Sequence, residues 1–411
     1  MKNFLLTLVV IPSLAVAQEK DKATFIEVKP GYYQNSILKD VNEFGKTEKP
    51  VTEKTTVFKV DLTGKDLPVD PEKYTKIWHT NPISQGNTGT CWCFSTTSFY
   101  ETEVKRATGK EIKLSEMFGV YYEYVERARM FVESRGKIFL GEGSETMALG
   151  RLIKKYGAVP LAAYTGLKEG QKHHSHDIMF TEIEKYLNGV KERNAWNTEE
   201  VVATVKSILN HHMGEVPAKF KYENKEYTPL DFLKNVMKIN TDDYVDLMSL
   251  MTEEYWKNAE YKVPDNWRKS KEFLNVPLDD FMKVIKNALS IGYGVSIGGD
   301  VSESGFETGK QVAVVPTFDI PSEYIDESAR AMRFLNNSTT DDHAMHIVGY
   351  QEKEGKTWYL IKDSGSGSRN CGENCKAFGY YFFHEDYIKL KMITMTVHKD
   401  AAKEILAKVK K

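Results

Sequence analysis

Apolar positions recur along this chain in two rhythms, and the change from one to the other divides it. From Trp92 through Phe94, Ser95, Phe99 and Val104 the spacing is helical and runs toward Lys105, directly after the glycine-rich polar loop Gln85-Gly-Asn-Thr-Gly-Thr90. Further amphipathic helical stretches are predicted around Ile183–Val190 and Val201–Leu209, followed by Pro217 and Pro229. From Gly292-Tyr-Gly-Val-Ser-Ile-Gly-Gly-Asp300 onward the pattern is that of strands. It continues through Asp341-Asp-His-Ala-Met-His-Ile-Val-Gly-Tyr350, Trp358-Tyr-Leu-Ile-Lys-Asp363 and Gly379-Tyr-Tyr-Phe-Phe383. Residues 397–411 read as a helix after a last strand. Residues 18–70 are charged and strand-poor, punctuated by Pro50 and Pro68, which suits an arm wrapping the surface or, as the competing view, a removable inhibitory propeptide.

Composition narrows the class. With 41% hydrophobic and 28% charged residues the chain has the make-up of a globular protein rather than a disordered one. The 56 basic and 58 acidic residues nearly balance, so nothing in the net charge draws the protein to nucleic acid or an anionic membrane. At the start, Lys2 precedes the apolar run Phe4-Leu-Leu-Thr-Leu-Val-Val-Ile11, and Ala15-Val-Ala17 forms a small-residue cleavage site before Gln18. This is the pattern of a signal peptide over residues 1–17, too short for a membrane span, and it predicts an exported protein, periplasmic or secreted, without a lipid or membrane anchor.

The chemistry is concentrated around Cys91. A thiol that attacks a carbonyl needs a lowered pKa, a base, and donors for the oxyanion. Cys91 opens the predicted helix, where the macrodipole favours a thiolate. Its own N–H and the side-chain amide of Gln85, six residues earlier, suit an oxyanion hole. A buried structural cysteine is the alternative, and most free cysteines are of that kind. His343 is the better candidate for the base, because His346, three residues on, points to the opposite face of a strand. Asp363 closes a later strand where a group orienting the imidazole is expected.

Together Gln85…Cys-Trp-x-Phe-Ser95, Asp-His-Ala and Asp363-Ser-Gly resemble the papain-like cysteine peptidases. Papain-type enzymes place the histidine about 130–150 residues after the cysteine, whereas roughly 250 separate Cys91 from His343 here, which implies an insertion on the order of 100 residues. The extra length resembles the bleomycin hydrolase and aminopeptidase C branch. Leu114-Ser-Glu-Met117, Tyr124-Val-Glu-Arg-Ala-Arg129, Lys155-Tyr-Gly-Ala-Val-Pro160 and Tyr227-Thr-Pro-Leu-Asp-Phe232 are similar to that branch as well. The resemblance implies an α+β papain-like fold, with a helical lobe carrying Cys91 and a β-barrel-like lobe carrying His343 and Asp363. It places the catalytic domain over residues 71–411, with a helical insertion over about 167–275. It also implies peptide or protein substrates, no cofactor, and assembly into hexamers with enclosed sites.

Three departures bear on that reading. The family's Asn-Ser-Trp-Gly is Asp363-Ser-Gly-Ser here, so an Asp363–His343 pair without its tryptophan is expected to be wetter and weaker. Gly143 and Ser144 lie in the expected substrate-pairing loop Gly141-Glu-Gly-Ser144, where relatives carry adjacent glycines, so the Ser144 side chain is expected to narrow the approach. Relatives extend a tail whose terminal carboxylate binds the substrate's amine, whereas this chain ends in the basic Lys-Val-Lys-Lys411, which puts that amine clip in doubt.

Other candidate groups read as structural. Cys371 and Cys375 suit a local disulfide or two free thiols better than zinc, since no second ligand pair has matching spacing. Cys93 diverges from Cys91 by roughly 200° on a helix and is expected in the core. The histidines of His173-His-Ser-His176 and the pair His211-His212 lack nearby acidic or thiol ligands in sequence and read as loop residues rather than a metal site. The glycines of residues 292–300 match no nucleotide-binding fingerprint. A cysteine aminopeptidase therefore leads, with an endopeptidase or oligopeptidase of the same fold and a non-catalytic binding protein as alternatives.

Overall fold

The computed structural model describes residues 20–47 and 55–409. The signal-peptide segment over residues 1–17 lies outside them. The arm is less strand-poor than its charge suggests. β1 (Ala23–Glu27) and β2 (Thr56–Val60) pair antiparallel with Phe25 opposite Phe58, because both segments carry runs of aromatic and β-branched residues among their charges. Between them, a turn of π-type helix over Tyr33–Leu38 leads into α1 (Lys39–Gly45). From the end of β2 onward the chain buries Val60, Leu62 and Tyr74 in one cluster with Val312, Val348, Leu360 and Phe382, which fastens this segment to the β lobe. β3 (Thr75–Lys76) then joins the main sheet.

The helical lobe comprises α2 (Cys91–Thr108), α3 (Glu116–Glu133), α4 (Met147–Tyr156), α5 (Asp177–Glu192) and α6 (Thr198–Met213), then the hairpin β4 (Phe220–Tyr222) to β5 (Lys225–Tyr227) and the short α7 (Pro229–Phe232). Local chemistry sets the helix ends. Ser115 accepts the Phe118 N–H at 3.2 Å to cap α3, and the Asn197 side chain accepts the Glu200 N–H to cap α6. Gly109, at φ +73°, ends α2 by donating its N–H to Lys105 O. The inserted α5 and α6 are not a separate body. Ile183, Leu187, Val205 and Leu209 share one core with Trp92, Phe99, Tyr124 and Phe131 from α2 and α3.

The β lobe contains β6 (Tyr244–Met248), β7 (Asn258–Ala259), β8 (Phe273–Asn275), α8 (Leu278–Ser290), β9 (Val295–Gly299), β10 (Phe306–Glu307), β11 (Val312–Ala313), α9 (Glu327–Leu335), β12 (His343–Lys353), β13 (Lys356–Lys362), β14 (Tyr380–His384), α10 (Glu385–Lys391), β15 (Met392–His398) and α11 (Lys403–Val409). Among the described residues these strands form a mixed sheet ordered β10-β11-β14-β13-β12-β9-β15-β6-β8-β7, with β3 on β12. The inserted segment is therefore not purely helical. Its end supplies β6, β7 and β8, with Leu247 of β6 opposite Met395 of β15. Helix α2 lies across β9 and β12, where Ser95 meets Ser296 at 2.7 Å and Ser98 meets His346 Nδ1 at 2.9 Å. That seam fixes the start of α2 against the start of β12.

Candidate active site

The first turn of a helix leaves its backbone N–H groups without intrahelical partners, and Cys91 occupies that position in α2. The preceding loop is held from several sides. Gly86 has φ +69°, and a Cβ there would lie 2.4 Å from His174 O, so both its conformation and its space demand glycine. Asn87 N–H donates to His174 O at 2.8 Å, and Thr88 Oγ1 donates to Gln85 O at 2.8 Å. Gly89 N–H donates to Glu142 Oε2 at 2.8 Å, while the Trp92 indole donates to Glu142 O at 3.3 Å. Gln85 is fixed at both ends of its amide: Nε2 donates to Thr88 O at 2.7 Å, and Oε1 accepts from Ser364 Oγ at 2.7 Å. One Nε2 hydrogen remains for another acceptor.

Across from this loop, β12 begins at His343, paired with Gly299 of β9, and Asp363 follows the last residue of β13. His343 Nε2 lies 2.6 Å from Asp363 Oδ1, and Cys91 is within interaction range of the same imidazole. Burial opposes a charge on His343, but Asp363 and the Cys91 sulfur outweigh it and raise its pKa well above the usual histidine value. Burial likewise pushes Asp363 up, and the adjacent His343, helped by Arg369, more than reverses this and leaves its pKa lowered. Burial drives His346 the other way, well below the usual value, so the two histidines three residues apart are shifted in opposite directions.

The expectation of a wetter pair fails. The His343 side chain is 12% exposed and that of Asp363 only 1%. In place of a tryptophan, the buried Arg369 reaches back, with Nη1 on Gly365 O at 2.5 Å and Nη2 on Asp363 O at 3.2 Å, and its guanidinium lies over Phe378. A Cβ at Gly365 would lie 3.1 Å from Asp363 Oδ2, which is tight, and 3.5 Å from His343 Nε2, which is ordinary contact. The expectation for Ser144 also fails. Its hydroxyl turns into the helical lobe and donates to Glu123 Oε1 at 2.6 Å. What crowds this loop is Asp265, whose Oδ2 lies 2.1 Å from where a Gly143 Cβ would be.

The remaining residues sort into structure. Cys93 is fully buried, its thiol donates to Glu116 O at 3.1 Å, and burial raises its pKa. Cys371 and Cys375 form a disulfide with Cα atoms 5.8 Å apart. His211 and His212 lie in α6 rather than in a loop, and acidic partners come from distant segments: His173 contacts Asp40 and Tyr32 of the arm, His176 contacts Tyr124 and Glu142, and His212 pairs with Glu182. Among the described residues no group of three or more His, Cys, Asp or Glu side chains is arranged to hold a metal ion, and no helix is long and apolar enough to cross a membrane. Glu142, Arg369 and Asp265 went unassigned in the sequence. Glu142 sat inside a loop already singled out, whereas the burial of Arg369 and the position of Asp265 have no local signature.

A cavity of about 330 Å³ beside the site is lined by Gln85, Gly89, Glu142, Gly365 and Ser366, and by Tyr33 from the arm. Tyr33 donates its hydroxyl to Asn87 Oδ1 at 2.8 Å.

Comparison with known proteins agrees with this architecture. The chain is 25% identical over 369 residues to Aminopeptidase E of Lactobacillus helveticus, covering 79% of this chain and 82% of that protein. It is 24% identical over 373 residues to Aminopeptidase G of Lactobacillus delbrueckii subsp. lactis, with the same coverage. Aminopeptidase C of Listeria innocua serovar 6a is 24% identical over 78% of this chain and 81% of its own length. Among solved structures, PepW from Lactobacillus rhamnosis HN001 superposes with a TM-score of 0.63 at 18% identity, over 83% of this chain and 85% of its own, which shows the fold. The Peptidase C1-like family profile matches residues 141–411, a span that includes His343 and Asp363. With well over half of its length matched, this chain belongs to the Peptidase C1-like family.

Proposed function

We propose that this protein is a cysteine aminopeptidase, similar to the bleomycin hydrolase group, in which Cys91 is the nucleophile. The observation that carries the reading is the position of His343, held by Asp363 Oδ1 at 2.6 Å and adjacent to Cys91, with its pKa raised. The Cys91 sulfur lies at the helix N-terminus beside that imidazole, which takes the thiol proton as the sulfur becomes the nucleophile. The Cys91 sulfur attacks the scissile carbonyl, and the oxyanion is received by the Cys91 N–H and the remaining Nε2 hydrogen of Gln85. His343 then gives its proton to the departing amine as the C–N bond breaks, leaving a thioester. In the second half, neutral His343 takes a proton from water, which attacks the thioester and releases the acid and the thiolate. Asp363 orients the imidazole and stabilises its charge throughout. The names of the aminopeptidase relatives support an exopeptidase over an endopeptidase.

The test is hydrolysis of an aminoacyl fluorogenic amide and its N-blocked peptidyl counterpart under reducing conditions, with Cys91→Ala as control. Turnover of the free-amine substrate alone is expected. Cys91-dependent turnover of the blocked substrate makes the protein an endopeptidase, and turnover independent of Cys91 removes the assignment of the nucleophile. We further infer export to the periplasm or medium from the charged, apolar and small-residue sequence of residues 1–17. Mass spectrometry of the mature protein is expected to find Gln18 at its N-terminus, and a mature chain retaining Met1 in the cytoplasm defeats the inference.

A further inference from the structure

Three carboxyl groups converge beside the Gly141-Glu-Gly-Ser144 loop, and the catalytic sequence above uses none of them. Asp265 comes from the inserted segment and lies against Gly143, where a Cβ would meet its Oδ2 at 2.1 Å and its Cγ and Oδ1 at 2.5 Å. Glu145 follows on the same loop and is 5% exposed. Asp341 precedes His343 by two residues, and its Oδ1 is 3.6 Å from the Cβ position of Gly298, the β9 residue opposite Ala344. The cluster therefore sits on the β9 side of His343, while Gly365 and the Gln85 cavity lie on its β13 side.

The cluster is short of positive charge. Its cationic neighbour is Arg127, whose Nη1 and Nη2 are committed to Gly141 O and Gly143 O. Asp342 and Asp246 add further negative charge around it. Polar atoms are left over. Glu145 Oε1 and the hydroxyl of the fully buried Tyr261 have no hydrogen-bonding partner of ordinary geometry, and both side chains lie within reach of Asp341. Burial, followed by the charges of Asp265 and Asp342, pushes Asp341 up to about 8, and burial and Asp341 raise Glu145 well above the usual carboxyl value, so the pair favours a shared proton in place of a cation. Buried polar atoms without partners are destabilising, and such a set beside the Gly141-Glu-Gly-Ser144 loop suits a ligand that supplies donors and positive charge.

We propose that Asp265, Glu145 and Asp341 form a subsite for a substrate ammonium group on the amine-terminal side of the scissile bond, with Asp265 against Gly143 as its principal anion. An ammonium brings three N–H donors and one positive charge, enough to replace the shared proton and engage Asp265, Asp341 and the orphaned Glu145 oxygen. Asp265 and Asp341 are both partly exposed, and Asp341 lines a cavity of about 650 Å³, so the cluster is open to a ligand. The ammonium belongs either to the α-amine of a one-residue acyl group or to a lysine side chain of a longer peptide. The proposal rests on the peptidase reading for what enters the cleft, yet its test needs no turnover.

Calorimetric binding to the full-length Cys91→Ala protein separates the two. The ligands are alanyl-aminomethylcoumarin, its N-acetyl derivative, and N-acetylated Lys-Ala and Leu-Ala coumarin amides. At least tenfold tighter binding of an ammonium-bearing ligand than of its uncharged match is expected. Preference for the free alanyl amide identifies the α-amine as the natural group, and preference for the blocked lysyl peptide identifies a side chain. Adding Asp265→Asn is expected to erase the preference while leaving the thermal unfolding midpoint within a few degrees. Glu145→Gln serves as the second variant if Asp265→Asn does not fold. Equal affinity for charged and uncharged ligands overturns the subsite, as does a preference that survives both substitutions. Loss of hydrolysis by the unmodified enzyme would instead remove the peptidase reading.

Discussion

At the scale of single residues, the exchange of the family's asparagine for Asp363 changes the charge of the orienting group without loosening it. An ionised carboxylate 2.6 Å from Nε2 favours the imidazolium, and His343 is accordingly raised. The sign follows: a histidine whose folded pKa exceeds its unfolded value of about 6.5 stabilises the fold fully below that value and loses the contribution as pH rises through the folded pKa. Asp363→Asn is therefore expected to move the alkaline limb of kcat/KM to lower pH, read from a pH–rate profile. An unmoved limb would mean that Asp363 does not set the charge of His343. Arg369→Met is expected to lower stability by roughly 1–3 kcal/mol in urea unfolding, because the carbonyls of Asp363 and Gly365 lose a buried donor. It should also lower kcat more than it raises KM, since Arg369 braces the pair from behind and faces no substrate.

At the scale of elements, the loop before α2 and the seam beneath it do the positioning. Gly86→Ala places a side chain at φ +69° against His174 O and is expected to cost roughly 1–3 kcal/mol. Because Gln85 adjoins it, kcat should fall further than stability alone explains, which parallel unfolding and kinetic measurements can resolve. Gly109→Ala, at the other end of the same helix, meets open space and only the left-handed backbone penalty of about 1–2 kcal/mol. Its kcat is expected to be unchanged. If both substitutions reduce kcat alike, α2 responds as a rigid whole and the loop has no separate role.

For the molecule as a whole, the arm reaches both lobes. It is stitched to the β lobe through Val60 and Leu62, and Asp40 accepts the N–H groups of Lys172 and His173 from the helical lobe. On the way, Tyr33 forms part of the wall of the cavity beside Gln85 and Gly365. Tyr33→Ala is expected to raise kcat/KM for substrates with a bulky residue after the scissile bond relative to those with a small leaving group. A uniform change across leaving groups would place Tyr33 outside the path of the substrate.

Sequence by itself carried the helix that starts at Cys91, the strands around His343 and Asp363, and the choice of His343 over His346. The helix and strands rest on local periodicity and on the two-residue alternation of strands, which act over a few residues, while the choice of His343 rests on its Asp-His-Ala motif and its resemblance to the papain-like pattern. The four groups Gln85, Cys91, His343 and Asp363 were legible because their motifs lie within short segments. The strands β6 to β8 were not, because β6 is a strand through its partner β15, more than a hundred residues away, and β8 and β7 are added to β6 in turn. Nor was the shielding of Asp363, since Arg369 reads as an ordinary surface cation until the fold of the loop turns it inward over Phe378. The placement of Asp265 against Gly143 is likewise a tertiary fact. Burial and charge proximity between distant segments depend on how the lobes close, and no local pattern of residues records that closure.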